Sequence, residues 1–237
     1  MPWNSLSFES ASVDQLAPYR RPSQARGEAK FEKLLDAAHS FIEEQGVDGF
    51  SLADVAKRAG VATGSAYHFF PNLEAIFIAL VERYDIAFSQ IVSEPIDDSV
   101  VDTWQDILET HFEKARQFIN ANPPALILII GPGRSWQSKQ VDTIGDSNIA
   151  ISMMESIERF FVPPSHPPAA QLLHLGIRIL EGLWELSVQQ HGHVTEEFSR
   201  ETTRAVAAYL RLYWPTYLER KSPETVASDD ASADQNV

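Results

Sequence analysis

The sequence contains no cysteine, which excludes disulfide bonds, thiolate nucleophiles and cysteine-ligated metals. It also lacks a long apolar run, because the longest, residues 125–130, is far too short to span a bilayer. The first residues are of mixed polarity and lack the apolar segment of a signal peptide. We therefore expect a cytoplasmic protein without a membrane segment. Its 237 residues suffice for a substantial core in one or two domains.

Positive charge is scarce, since 19 Lys and Arg stand against 33 Asp and Glu, giving a net charge of −14. The deficit is uneven. Residues 20–70 hold seven basic and seven acidic residues, whereas residues 71–237 hold 12 basic and 24 acidic ones. Most of the acidity therefore lies outside residues 20–70, and an acidic body of this kind is expected to repel non-specific polyanions.

Motifs of common catalytic sites are also missing. The sequence has no nucleophile elbow, His-Glu-x-x-His pair or phosphate loop, and residues 131–135 lack the Gly-Lys ending of such a loop. His191 and His193 flank Gly192, which suits either a helix end or a metal, but no convincing further ligands are spaced nearby. We therefore expect that the protein is not an enzyme and binds no metal or cofactor. The alternative is an enzyme built on a helical bundle.

Two short helices joined by a tight turn are predicted over residues 51–70. Ser51 and Asp54 form an approximate capping box, and Gly60 stands where the first helix must stop. Thr63 is expected to cap the second helix, whose small polar start suits a DNA major groove. A plain helical hairpin is the alternative interpretation of these residues alone.

The flanks make the pattern more specific. An apolar stripe that includes Phe31, Leu34 and Ile42 predicts a preceding helix that ends at Gly46, and Phe69-Phe70-Pro71-Asn72-Leu73-Glu74 follows the motif. Together, residues 26–76 resemble the N-terminal DNA-binding domain of TetR-family transcriptional regulators. The family usually has a phosphate-contacting Lys where this sequence has Leu73.

The resemblance implies an all-α fold of about nine helices, with an N-terminal three-helix DNA-binding domain and a larger C-terminal domain for ligand binding and dimerisation. The expected divisions are a flexible arm (residues 1–22), the helix-turn-helix domain (23–71), the ligand-binding and dimerisation domain (72–221) and a disordered acidic tail (222–237). The arm suits either minor-groove binding or a solvated role. No strand is expected.

The family pattern also implies roles for individual residues. Thr63, Ser65 and His68 are expected to face bases, Gly64 to let the backbone approach the groove, and Tyr67 to contact phosphate or pack in the core. Residues expected at phosphates are Arg26, Ser51, Lys57 and Asn72.

The C-terminal helices are expected to form an effector cavity and a dimer interface, although ordinary core packing is the alternative for both. His174, Arg178, Glu181 and Glu185 read either as a solvated salt-bridged face or as a carboxylate-binding Arg178. The candidate ligand-binding residues are Trp104, His111, Phe112, Met153, Met154, Ile157, His174, Arg178 and Trp184. The candidate interface residues are Gly176, Leu183, Val206, Tyr209 and Tyr213.

The resemblance implies a homodimeric repressor that binds a palindromic operator in double-stranded DNA. A small apolar or aromatic effector would release it. Leu73 and the acidic balance leave open a binding protein that keeps this fold but has lost DNA affinity.

Overall fold

The computed structural model describes residues 17–131 and 136–221, with residues 136–142 described by their backbone only. The expected arm lies largely outside this range, and the expected acidic tail lies wholly outside it. Nine α-helices occur in the described part, as predicted. They are α1 (Ala25–Gln45), α2 (Leu52–Arg58), α3 (Thr63–Phe69), α4 (Leu73–Ser93), α5 (Trp104–Ala121), α6 (Pro123–Ala125), α7 (Trp136–Phe160), α8 (Ala169–His191) and α9 (Glu196–Leu210).

The N-terminal helices α1–α3 close around one apolar cluster. The predicted stripe of α1 is buried, including Leu34 and Ile42, and it meets Val55 from α2 and Ala66 from α3. Phe31 packs against Phe70 with ring centroids 4.7 Å apart. Because each short helix buries its apolar face here, the opposite faces of α2 and α3 remain exposed.

The chain before α1 is anchored within its described part. Tyr19 is buried beside Phe31 and Phe70, and its hydroxyl donates to Glu82 on α4. Arg21 pairs with the same carboxylate. The prediction of a mobile arm up to residue 22 is therefore wrong for these residues, because an aromatic ring and an ion pair hold them to the body.

Helix α4 links the N-terminal helices to the rest of the fold. It begins at an Asn72 cap and ends two residues before Pro95, as predicted. Ile76, Ile78 and Leu80 are fully buried, so the helix is enclosed on more than one side. Helices α5 and α7 pack against α4, and α8 packs in turn against α7 and α9. In the described stretches no helix is long and apolar enough to cross a membrane.

Three local features of the helices follow from caps and packing. Helix α5 begins at Trp104, because Thr103 and Asp106 form the capping box, and residues 98–100 make only a 3₁₀ turn. On α7, Ile149 and Met153 are buried, whereas Ile151 is 44% exposed. Residues Leu126–Ile130 form a π-helical turn that continues from α6.

Helix α9 ends at Leu210. Pro215 disfavours helix in the residue before it, and Trp214 turns into the core, where its ring meets Trp104 at 5.3 Å between centroids. The chain then returns past the end of α7. There β1 (Phe161–Val162) pairs antiparallel with β2 (Glu219–Arg220), a short sheet that the sequence did not predict.

Candidate nucleic-acid interface and ligand cavity

The start of α2 is fixed by a reciprocal capping box. The backbone N–H of Asp54 donates to Ser51 Oγ at 3.3 Å, and the backbone N–H of Ser51 donates to Asp54 Oδ2 at 2.9 Å. The Ser51 hydroxyl also donates to Asp54 Oδ2 at 2.6 Å, and this bond, together with that from the Ser51 backbone N–H, lowers the pKa of Asp54. Ser51 is exposed at this helix end, where backbone N–H groups suit a phosphate.

The turn between α2 and α3 depends on Gly60, whose φ of +63° suits glycine. The N–H of Gly60 donates to the carbonyl of Lys57 at 3.2 Å, and that of Val61 donates to Ala56 at 3.0 Å. This pair of bonds is a Schellman motif, and Val61 is buried beneath it. The turn therefore sets the angle at which α3 leaves α2.

Helix α3 presents its polar residues to solvent. Thr63, Gly64 and His68 are exposed, Ser65 is half-buried, and Tyr67 is 51% exposed rather than packed in the core. Its rear face is buried through Ala66 and Phe69. The N-cap is Ala62, which makes no side-chain bond, so the prediction that Thr63 caps the helix is wrong. Thr63 is instead the first helical residue.

The start of α4 lies next to this surface in the chain. Asn72 is exposed and accepts a hydrogen bond from the backbone N–H of Ala75 at 2.9 Å, which confirms it as a cap. Leu73 is half-buried and packs against the core. An apolar contact thus replaces the positive charge expected at this position.

Two of the candidate phosphate contacts are exposed basic residues, Arg26 in the first turn of α1 and Lys57 on α2. The neighbouring Arg58 has a structural role, because it pairs with both oxygens of Glu44 at 2.8 and 2.9 Å and lies 3.5 Å over the ring of Phe41. The structure shows that Arg26 and Lys57 are exposed, while their contacts with DNA stay predictions.

A cavity of about 60 Å³ lies among α4, α5, the π-helical turn, α7 and α8. Its walls are mainly aliphatic and aromatic, with polar side chains from four of these elements. The described lining residues are Asp85, Phe88, His111, Phe112, Ala115, Phe118, Ile119, Ile129, Ile130, Asp146, Ile149, Met153, Ile177, Leu180, Glu181 and Trp184.

Four of the nine candidate ligand residues line this cavity, namely His111, Phe112, Met153 and Trp184. The other five lie elsewhere because they serve the packing of the fold. Trp104 packs on Trp214 and donates its Nε1–H to the Pro215 carbonyl at 3.1 Å. The remaining candidates outside the lining are Met154, Ile157, His174 and Arg178.

The polar stripe on α8 points inward, so its interpretation as a solvated face is wrong. His174 and Glu181 are only 3% and 6% exposed. Arg178 Nη1 lies 2.8 Å from Asp146 Oδ2 on α7 and 2.6 Å from Glu181 Oε2. Burial lowers the pKa of His174 to about 4, and the charge of Arg178 acts in the same direction. Arg178 thus binds carboxylates of its own chain.

His111 is an unusual member of the lining. Its side chain is 1% exposed, and neither ring nitrogen has a hydrogen-bond partner among the described residues. Burial lowers its pKa to about 4, with a smaller contribution from the charge of Lys114, so the ring is neutral at pH 7. The Nε1–H of Trp184 also lacks a partner there. Sequence periodicity identified both residues as candidates for the cavity, but it did not show that their ring nitrogens lack hydrogen-bond partners.

One turn of α4 connects the cavity to the N-terminal helices. Arg83 Nη1 lies 2.7 Å from Asp36 on α1, and the Tyr84 hydroxyl lies 2.7 Å from His39 Nδ1, also on α1. The next residue, Asp85, lines the cavity. A displacement of this turn therefore acts on both parts of the fold.

Comparison with known proteins agrees with this architecture. A family model described as bacterial regulatory proteins of the tetR family matches residues 34–80, from within α1 to within α4. Residues 34–80 thus form a TetR-family N-terminal domain. A solved TetR-family regulator from Streptomyces coelicolor shares the fold, with a TM-score of 0.62 and 20% identity, covering 78% of this chain and 97% of that one.

Curated relatives match less than half of the chain. The HTH-type transcriptional regulator EthR of Mycobacterium tuberculosis is 26% identical over 112 residues, 46% of this chain and 52% of EthR. The transcriptional repressor NemR of Escherichia coli is 30% identical over 87 residues, 37% of this chain and 44% of NemR. The chain thus spans about half the length of the curated relatives it matches.

The candidate interface residues fall into two groups. Gly176 and Val206 are buried against each other, since a Cβ on Gly176 would lie 2.9 Å from Val206 Cγ1. Their small contact joins α8 to α9 within the chain. Leu183, Tyr209 and Tyr213 are half-buried, with Tyr213 lying beyond the end of α9. Near them in sequence, Leu186 and Leu212 are 42% and 74% exposed.

Proposed function

We propose that this protein is a transcriptional repressor that binds a palindromic operator as a homodimer and is released by a small, largely apolar effector. The exposed face of α3 carries the proposal. A Cβ added to Gly64 would have no atom within 4 Å, so nothing obstructs an approach of this helix to a groove. The polar groups of Thr63 and His68 flank that open position on an exposed surface.

The residues around this face have complementary roles. Thr63, Ser65 and His68 contact base edges, whereas Tyr67 donates its hydroxyl to a phosphate. Charges and helix ends at the rim hold the duplex in register, because backbone contacts position a protein without reading sequence. These rim residues are Arg26, Ser51, Lys57 and Asn72.

The homodimer forms through α8 and the end of α9. Leu186 and Leu212 are large apolar side chains left exposed in the single chain, next to the half-buried Leu183 and Tyr213. Burial of such side chains favours association. A two-fold axis through this face repeats α3, and spacing of about 34 Å matches one turn of DNA and requires a palindrome.

Release follows from the position of Asp85. The cavity of about 60 Å³ holds only a few water molecules, so an effector must move α4, α7 or α8 outward to enter. Asp36 and His39 tie the moving turn of α4 to α1. The effector binds the displaced state better and shifts the population away from the DNA-binding one, with coupling of about 1–3 kcal/mol typical.

The test is a gel shift with DNA from upstream of the protein's own gene, repeated at several salt concentrations. The proposal predicts specific retardation that weakens with salt and is lost in Tyr67→Ala. Tyr217→Ala is the matched control, because Tyr217 is 77% exposed and lies after α9. Retardation of no promoter fragment by a folded protein would instead support a binding protein without DNA affinity, the alternative favoured by Leu73.

A further inference from the structure

The polar groups of the cavity define what kind of effector fits it, an inference that rests on the proposed function. Deep inside an apolar space, unpartnered nitrogen atoms are costly, at about 1–3 kcal/mol each. His111 on α5 and Trp184 on α8 line the same cavity and supply three such nitrogens. A ligand that satisfies them gains more than apolar burial alone.

A neutral histidine has one N–H donor and one nitrogen acceptor, whereas the Trp184 indole only donates. A hydroxyl group fills two of these three nitrogens, since its oxygen accepts from Trp184 and its hydrogen is donated to the acceptor nitrogen of His111. A carbonyl or ether only accepts and leaves that nitrogen unfilled. A plain hydrocarbon leaves all three nitrogens unfilled.

The charged side chains of the lining further limit which ligands fit the cavity. The described lining contains Asp85, Asp146 and Glu181, each less than 10% exposed, and no Lys or Arg. Arg178 already pairs with Asp146 and Glu181 from outside the lining. A ligand carboxylate would therefore join three carboxylates in a poorly solvated space, which is unfavourable.

We propose that the cavity binds a compact, uncharged alcohol or phenol, whose hydroxyl hydrogen-bonds to His111 and Trp184 while its hydrocarbon body contacts the surrounding aliphatic and aromatic side chains. Carboxylate-bearing molecules of the same size are excluded. The small volume of the cavity favours a ligand body of about one ring. A cavity lined by apolar groups needs about 150 Å³ to hold benzene, so this cavity must open to about that volume.

The experiment compares three probes of similar shape: para-cresol, toluene and benzoate. Binding to the purified full chain is measured by calorimetry without DNA, so the result does not depend on the proposed repressor activity. Para-cresol should bind at least tenfold more tightly than each of the others, the magnitude expected for about one satisfied buried hydrogen bond.

Two variants identify the contact. His111→Phe keeps a ring but removes both nitrogens, and Trp184→Phe removes the donor; each should weaken para-cresol about tenfold and leave toluene unchanged. The second variant keeps the test decisive if the first does not fold. The inference would be overturned if both folded variants bound para-cresol as tightly as wild type, if benzoate bound more tightly than para-cresol, or if no probe bound. Failure of the gel shift with para-cresol binding intact would reject only the repressor.

Discussion

The carboxylate of Asp85 on α4 lies directly against the backbone of Gly145 on α7. A Cβ added to Gly145 would be 2.2 Å from Asp85 Oδ2 and 2.5 Å from its Cγ, closer than atoms can approach. Glycine thus lets the linking helix rest on α7 at the wall of the cavity. The contact lies one residue from the bond between Tyr84 and His39, so it is the point where the cavity and the N-terminal helices meet.

Replacement of Gly145 by Ala should push α4 away from α7 and imitate the effector-bound state. We expect operator affinity to fall at least tenfold without effector, and the free energy of unfolding to fall by about 1–3 kcal/mol through overpacking. Fluorescence anisotropy and urea denaturation measure the two quantities. In an Asp85→Ala background the two clashing carboxyl atoms are gone and only the Cβ of residue 85 remains close, at 3.0 Å, so the loss should largely disappear. An equal loss in that background would show that the Asp85 contact is not the cause.

Replacement of Gly64 by Ala should separate folding from DNA binding. Its Cβ would meet nothing within 4 Å in the free protein, and Gly64 has no positive φ, so the free energy of unfolding should rise by up to about 1 kcal/mol. The same methyl group would stand between α3 and the groove, and operator affinity should fall about tenfold by anisotropy. Unchanged affinity would mean that the backbone does not approach DNA here.

Replacement of Leu73 by Lys should restore a phosphate contact. The Lys stem can keep the apolar contact of Leu73 while its ammonium reaches solvent. We expect tighter operator binding at low salt and a slope of log affinity against log salt that is steeper by about 1. Leu73→Met is the uncharged control and should leave the slope unchanged. A slope that also stays unchanged for Lys would place this helix end away from the phosphates.

The neutral state of His111 predicts a pH dependence of stability. Its pKa is about 4 in the folded chain and near 6.5 when unfolded, so the unfolded chain binds more protons between these values. This contribution is complete above pH 6.5 and is lost as the pH falls towards 4. Urea denaturation at pH 7.5 and pH 5 should show wild type losing about 2 kcal/mol more than His111→Phe. His174 titrates in both proteins and cancels; equal losses would contradict the account.

The helix-turn-helix was predictable because its signals are local. The Ser51–Asp54 box and Gly60 each act within a few residues, and the apolar period of α1 needs no knowledge of the partner helix. The exposure of Tyr67 required the structure, since only the packing of Ala66 and Phe69 shows which side of α3 is buried.

The C-terminal half was less predictable because long-range contacts decide it. Arg178 and Glu181 read as a solvated face until Asp146, more than 30 residues earlier in the chain, is brought against them. Similarly, Trp104 is an aromatic residue of the kind that contacts ligands, but its ring packs against Trp214 from the other end of the domain. Helical spacing reveals a face, not the element that packs on it.

The central claim, that two copies of α3 read one palindrome, is tested most directly by hydroxyl-radical footprinting of the protein on its upstream DNA. The account predicts two symmetrical protected segments whose centres lie about one helical turn, 34 Å, apart, with protection lost in Tyr67→Ala. A single unsymmetrical segment, or no protection at a concentration where the protein is folded, would contradict it.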